Sequence, residues 1–173
     1  MSISEPKWLA IARDLIGLRE IKGSQHEPEI LRLWKDAGLP FTDDETAWCA
    51  GFVGGVLARA GIAPSLSAAA RSYETWGVNV LDLGTADIPL GAIVVYARPP
   101  SEWSGHVGFA VGLTSNGHIM TLGGNQRDSV SIAPFHSGRL IAARWPSEDR
   151  ADIRMLRPIP RMTTNLDLST GEA

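Results

Sequence analysis

The chain has 173 residues, of which 44% are hydrophobic and 20% charged, and its formal net charge is −3. This length and composition suit one globular domain that buries a core without cross-links. The sequence holds one cysteine, which excludes an internal disulfide and leaves a free thiol. No basic stripe indicates a nucleic-acid partner, and the apolar runs are too short for stable membrane insertion. We expect a monomer.

Two short helices are predicted at the start of the chain from apolar residues at helical spacing. The first follows Ser4, the expected N-cap, and weakens at Gly17. The second covers residues 29–37 and ends at Gly38, because glycine readily adopts the left-handed conformation that closes a helix. Both helices present an apolar side that predicts packing against a core.

The third predicted helix carries the cysteine. It follows an acidic loop at residues 42–46, with Thr46 as the expected N-cap, so that Cys49 becomes the third helical residue. Negative charge near a helix N-terminus is favourable, and we expect the acidic side chains of residues 43–45 to cap this helix and point outward. A further helix is predicted over residues 67–76.

The pattern changes near residue 87 to short apolar runs separated by turn residues, which is typical of strands. Helices first and strands second predict an α+β fold, with the N-terminal helices packed on one face of an antiparallel sheet of about five strands. The expected strands are residues 92–96, 106–113, 118–122, 129–133 and 140–144.

The polar C-terminal stretch has a different composition from the rest. We assign residues 1–146 to the folded domain and residues 147–173 to a loosely packed C-terminal extension. Its basic residues could touch an anionic surface, but a solvated arm is the preferred interpretation. They are Arg150, Arg154, Arg157 and Arg161.

Three separated residues form a possible catalytic set. A helix N-terminus and a nearby imidazolium both favour the reactive thiolate, and Cys49 is expected to have both. Strand alternation puts His106 on one face with Gly108 and Ala110, and these small residues would let the cysteine helix pack closely. Asn125 follows a Gly-Gly turn and could orient the imidazole, with Gln126 as its rival for that role.

The segments that hold these residues resemble papain-like cell-wall hydrolases of the NlpC and CHAP types, above all a group common in phages and prophages. The resemblance covers about residues 8–146 and rests on Trp48-Cys49-Ala50, Gly105-His106-Val107-Gly108 and Leu122-Gly123-Gly124-Asn125-Gln126. It implies a papain-like fold that cleaves an amide bond of bacterial peptidoglycan through a thioester. Cys49 would be the nucleophile, His106 the base and then the acid, and Asn125 the orienting residue.

Other residues would contact the substrate. Trp48 adjoins the cysteine and Trp103 lies three residues before His106, so either could stack on a sugar or wall the cleft. Glu20 could line the cleft, although a helix-surface or capping carboxylate is the simpler interpretation. Gln126 is placed in the substrate-binding set as well as being the rival of Asn125.

No metal or cofactor is predicted. Some CHAP-type proteins hold calcium in an acidic loop before the cysteine, but residues 43–45 lack the alternating Asp spacing of such a loop. The histidines are widely separated and show no paired spacing, which argues against a zinc site.

The resemblance predicts a peptidoglycan hydrolase, either a muramoyl-L-alanine amidase or a stem-peptide endopeptidase. Without a signal peptide it would be an endolysin that waits in the host bacterial cytoplasm before release to the periplasm and cell wall, or an injected antibacterial effector. One alternative is a non-catalytic wall-binding or phage structural module that keeps the fold. Another is an intracellular thiol acyltransferase or peptidase with a different substrate.

Overall fold

A computed structural model describes residues 5–149 and 151–163 of the chain, so the predictions for Ser4 and Arg150 lie outside the described residues. Its first part is helical, as expected. The longest described helix has 11 residues, and none is long and apolar enough to cross a membrane. Three α-helices lie within these described residues, namely α1 (Lys7–Asp14), α2 (Pro28–Asp36) and α3 (Cys49–Arg59).

A short 3-10 helix, Ala70–Glu74, takes the place of the fourth helix predicted over residues 67–76. The six described strands are β1 (Val78–Asn79), β2 (Ile93–Arg98), β3 (Ser101–Leu113), β4 (Ile119–Gly123), β5 (Ser131–Phe135) and β6 (Leu140–Trp145). They form one antiparallel sheet in the order β1-β6-β2-β3-β4-β5. The fold is therefore α+β, with one strand more than predicted.

The sheet meets α3 through the large apolar side chains of β3, not through its small ones. The rings of Phe52 on α3 and Phe109 on β3 lie 6.0 Å apart, edge to face. A Cβ on Gly108 would instead meet Thr121 of β4 at 2.6 Å. The expectation that α3 packs on the face of His106 and Gly108 is therefore wrong. Burying the larger apolar face against the helix removes more apolar surface from water.

Glycines bring α3 close to α2. A Cβ at Gly51 would lie 2.6 Å from the Trp34 ring, and one at Gly55 would lie 2.7 Å from Leu33. Real side chains never approach so closely, so these positions have room only for glycine. The cysteine helix is thus held against α2 on one side and against the sheet on another.

Part of the C-terminal extension belongs to the folded domain. Leu90 donates its N–H to the carbonyl of Arg157 at 2.8 Å, and Ile159 donates to the carbonyl of Ile88 at 2.9 Å. The Ile159 side chain is buried. The prediction of a loosely packed arm is wrong for residues 157–162, because backbone pairing and apolar burial fix this segment.

Candidate active site

Cys49 is the first residue of α3 rather than the third. The carboxylate of Asp43 accepts the Thr46 N–H at 2.6 Å and the Thr46 hydroxyl at 3.0 Å, which closes a turn before the helix begins. Trp48 then becomes the N-cap, so the prediction of Thr46 in that role is wrong. The Cys49 sulfur lies among the first N–H groups of the helix, those of Cys49 and Ala50.

The thiol also contacts the strand that carries the histidine. Val107 directs its backbone N–H at the Cys49 sulfur, and Val107 directly follows His106 in β3. The thiol therefore lies beside the backbone of the residue that follows His106 in β3. The direct pair of Cys49 and His106 side chains that the sequence predicts stays a prediction.

Burial raises the pKa of the Cys49 thiol above its ordinary value. The N–H groups of Val107 and Ala50 and the positive charge of Arg98 oppose this rise without reversing it. The side chain is only 5% exposed, so desolvation outweighs the helix N-terminus. The free protein thus holds a neutral thiol at neutral pH, and any nucleophilic chemistry requires a base.

His106 is held firmly by its surroundings. Its Nε2 lies 2.9 Å from Oε1 of Gln126, and its ring stacks on Phe135 with centroids 4.9 Å apart. A Cβ at Gly123 would press on both the His106 ring and the Gln126 amide. Glycine at that position is therefore needed for the contact between His106 and Gln126.

The Gln126 contacts determine which ring nitrogen of His106 carries the proton. The Gln126 amide nitrogen faces two backbone carbonyls, that of Ser131 at 2.8 Å and that of Thr121 at 3.3 Å. A carbonyl can only accept, so the amide nitrogen belongs there and Oε1 faces the ring. Oε1 must then accept from the Nε2–H of His106. In the neutral form of the ring, Nδ1 then holds the lone pair that a general base needs.

Asn125 does not make the contact that the sequence predicted for it. The structure brings Gln126, not Asn125, to His106. Asn125 has a left-handed backbone with φ of 56°, and its buried Oδ1 has no hydrogen-bond partner among the described residues. Because of this left-handed turn, the adjacent side chains of Asn125 and Gln126 point into different surroundings. Gln126, the rival in the sequence reasoning, makes the contact with Nε2 of His106.

A pocket of about 320 Å³ opens beside the thiol. Trp103 is 81% exposed at this pocket, which suits the stacking role expected for it. Arg98 at the end of β2 was missed by the sequence reasoning, and its only signal was its place in the hairpin before His106. The lining residues are Ala47, Cys49, Ala68, Ala69, Ala70, Arg98, Trp103, Ser104 and Gly105.

Trp48 has a different role from the one predicted. It is 1% exposed, so its ring cannot stack on a sugar, and its Nε1–H donates to Glu20 at 3.1 Å. Burial raises the pKa of Glu20, and the carboxylates of Asp128 and Asp44 add to that rise while the Trp48 bond opposes it. Glu20 thus lies beside the N-cap of α3, as a partly buried acid close to the candidate site.

Asp44 points inward, which contradicts the prediction that the acidic loop faces solvent. Its carboxylate is fully buried and accepts the N–H groups of Ile21 at 2.7 Å and Glu27 at 2.8 Å, and it lies 2.9 Å from Nδ1 of His26. Burial alone would raise the pKa of Asp44. These hydrogen bonds outweigh burial and hold the pKa below its usual value.

No group of three or more His, Cys, Asp or Glu side chains in the described ranges is placed to hold a metal ion. No family model, curated protein or solved structure matches this chain. The case for function therefore rests on the geometry of the site and on the sequence motifs.

Proposed function

We propose that this chain is a papain-like cysteine hydrolase that cleaves an amide bond of bacterial peptidoglycan. The observation that carries the proposal is the position of the Cys49 sulfur, at the start of α3 and against the N–H that follows His106. Gln126 fixes the His106 tautomer that such chemistry needs. The pocket beside Cys49 gives a substrate access to the thiol.

The chemistry proceeds in two halves. Nδ1 of His106 takes the proton of the Cys49 thiol as the sulfur attacks the amide carbon, and Gln126 accepts from Nε2–H throughout. The N–H of Cys49 at the helix start is the candidate donor to the oxyanion. His106 then gives its proton to the leaving amine, which leaves a thioester. Water, activated by the same nitrogen, hydrolyses the thioester and restores the thiol.

Peptidoglycan is proposed as the substrate from the resemblance of the three motif segments to NlpC- and CHAP-type cell-wall hydrolases. An exposed Trp103 beside the pocket agrees with a sugar-bearing substrate, because indole rings stack on sugar faces. The bond would be the muramoyl–L-alanine amide or an amide within the stem peptide. As an endolysin, the protein would remain in the host cytoplasm until the membrane opens.

Purified peptidoglycan sacculi test this proposal. The wild type is expected to release new amino groups, and Cys49→Ala and His106→Ala are each expected to lower the rate at least about a thousandfold, because each removes a reacting group. Mass spectrometry of the released fragments identifies the bond. Equal release by wild type and Cys49→Ala would rule out the mechanism.

A non-catalytic wall-binding module is the second candidate, and one observation favours it. Cys49 and His106 are 5% and 1% exposed, and the pKa of the thiol is raised rather than lowered. A buried neutral thiol is also what a structural cysteine looks like. This candidate predicts that wild type and Cys49→Ala bind sacculi equally and that neither releases amino groups.

A further inference from the structure

Strand β5 carries no residue of the three motif segments, yet it constrains the candidate base in two ways. The Gln126 amide nitrogen donates to the carbonyl of Ser131, the first residue of β5, at 2.8 Å. Phe135, the last residue of β5, stacks on the His106 ring with centroids 4.9 Å apart and ring planes 5° from parallel. One strand therefore holds the hydrogen-bond partner of the imidazole and also covers a face of the imidazole itself.

A hydrogen bond and a ring stack restrict different movements of a histidine. The contact between Nε2 of His106 and Oε1 of Gln126 sets the direction of that nitrogen. Hydrogen bonds to amide oxygens tolerate a broad range of angles, so this contact alone leaves the ring free to tilt. The parallel Phe135 ring opposes such a tilt, because in a close-packed interior one edge of the imidazole would then press into it.

Phe135 is in turn held by its own neighbours. Its ring also stacks on Tyr96 of β2, with centroids 4.6 Å apart and planes 20° from parallel. The Tyr96 hydroxyl lies 2.7 Å from that of Thr121, and the guanidinium of Arg139 lies 5.7 Å from the centre of the Phe135 ring. Both stacked rings are fully buried, so Phe135 cannot move aside without opening a cavity in the core. It is therefore a rigid support for the ring that it covers.

We infer that Phe135 is a positioning residue that fixes the plane of the His106 ring. This inference deepens the proposed function and rests on it, because the fixed plane serves the transfer of the thiol proton. Such a transfer needs groups that are aligned in advance, and a misplacement of about 1 Å can lower a rate about a hundredfold. Phe135 is fully buried and does not line the pocket beside Cys49, so its contribution is to the rate and not to substrate binding.

The motion of the His106 ring tests this without any substrate. In protein labelled with ¹³C-histidine, ¹³C relaxation of the imidazole carbons gives an order parameter for the ring, and the spectrum of His106→Gln assigns its signal among the four histidines. We expect about 0.85 in the wild type, the value of a rigid group, and a fall below about 0.6 in Phe135→Leu. Leucine is apolar but offers no flat face. An order parameter in Phe135→Leu equal to that of the wild type would overturn the inference.

Phe109→Leu is the matched control. Phe109 is also a fully buried phenylalanine of the sheet, but its ring packs against Phe52 of α3. The same substitution there removes core packing and should leave the His106 ring as rigid as in the wild type. Equal loosening of His106 in both variants would indicate a general loss of packing and would overturn the inference. If Phe135→Leu does not fold, Phe135→Met replaces it, because methionine fills irregular space without supplying a ring.

Soluble peptidoglycan fragments then separate this inference from the proposed function. The kcat of Phe135→Leu should fall at least about tenfold, because the imidazole is no longer aligned. Its KM should stay within about twofold of the wild-type value, because no substrate contact is removed. A loss that lies in KM alone would overturn the inference. A His106 ring that loosens in Phe135→Leu, together with no cleavage by the wild type, would support the positioning role and refute the proposed function.

Discussion

Two histidines of this chain are each 2.9 Å from a buried acceptor, yet the two pairs are built differently. His26 faces the carboxylate of Asp44, which also accepts two backbone N–H groups. His106 faces the amide oxygen of Gln126, whose nitrogen is held by backbone carbonyls. The first acceptor is charged and ties together loops that are distant in sequence. The second is neutral and directional.

The difference shows how a histidine partner can serve stability or chemistry. Asp44 joins the segment after α1, the start of α2 and the loop before α3, so its removal leaves several partly buried donors without their acceptor. Gln126 accepts from Nε2 of the buried His106 ring, and the backbone of the next residue, Val107, contacts the thiol. We therefore expect substitutions at Asp44 to act mainly on folding and substitutions at Gln126 mainly on reactivity.

Among changes to the two histidine partners, the largest expected effect is that of Gln126→Ala on wall cleavage. Without Oε1 the His106 ring loses its fixed tautomer and orientation, so kcat/KM should fall about a hundredfold, the lower range for an acid–base group. Asn125→Gly is the matched control, because glycine accepts the left-handed backbone at that position. It should retain activity within about threefold. A larger loss from Asn125→Gly than from Gln126→Ala would return Asn125 to the orienting role.

The next effect is on stability. Asp44→Ala should lower the free energy of unfolding by about 3 kcal/mol, because it removes the acceptor of two partly buried N–H groups and of His26. Urea denaturation of folded protein measures this. Glu45→Ala in the same loop is the control, and a change within about 0.5 kcal/mol is expected because its contact with Gly23 is exposed. Wall cleavage by folded Asp44→Ala should change little; a loss like that of Gln126→Ala would erase the contrast between the two pairs.

A smaller effect concerns the pH dependence of stability, because the Asp44 carboxylate can be protonated and the Gln126 amide cannot. The pKa of Asp44 is lowered in the folded protein from an ordinary value of 3.8, so its contribution is complete above that value and is lost as the pH falls through the folded pKa. Asp44→Asn should reduce the fall in stability between about pH 5 and pH 2. Part of the fall should remain, since the pKa values of Asp43 and Glu29 are also lowered. If the stability of Asp44→Asn fell with pH as steeply as that of the wild type, the lowered pKa of Asp44 would be contradicted.

The smallest effect lies at high pH and comes from the thiol. Because burial raises the pKa of Cys49 above 9.0, the unfolded chain ionises first and stability falls as the pH rises beyond that value. The slope from one group is at most about 1.4 kcal/mol per pH unit. Cys49→Ala should remove the part of this loss of stability that begins near pH 9. The part that comes from the buried Tyr73 and Tyr96, whose pKa values are also raised, should remain. An identical alkaline profile in both proteins would argue against the raised thiol pKa.

The sequence was sufficient for the order of the elements. Helical and strand periodicity placed α2 and most of the sheet within a few residues, and the motifs singled out Cys49 and His106. Alternation along β3 separated its two faces, but it could not tell which face meets α3. That choice depends on how much apolar surface of Val107 and Phe109 is buried in the assembled fold.

The remaining errors have a common physical cause. The choice between Asn125 and Gln126 depends on backbone carbonyls of Thr121 and Ser131, and the inward turn of Asp44 depends on N–H groups 17 and 23 residues away. Neither set of partners has a local signature. Ile159 gave no sign of its contact with Ile88 for the same reason.

The most direct test of the site is the protonation of the His106 ring at pH 8, read from long-range proton–nitrogen NMR correlations in protein labelled with ¹⁵N-histidine. Nε2 should carry the proton and Nδ1 should not, and Gln126→Ala should lose this preference. A proton on Nδ1 alone, or on both nitrogens as an ion pair with Cys49 requires, would contradict the arrangement in which Gln126 prepares His106 to accept the thiol proton.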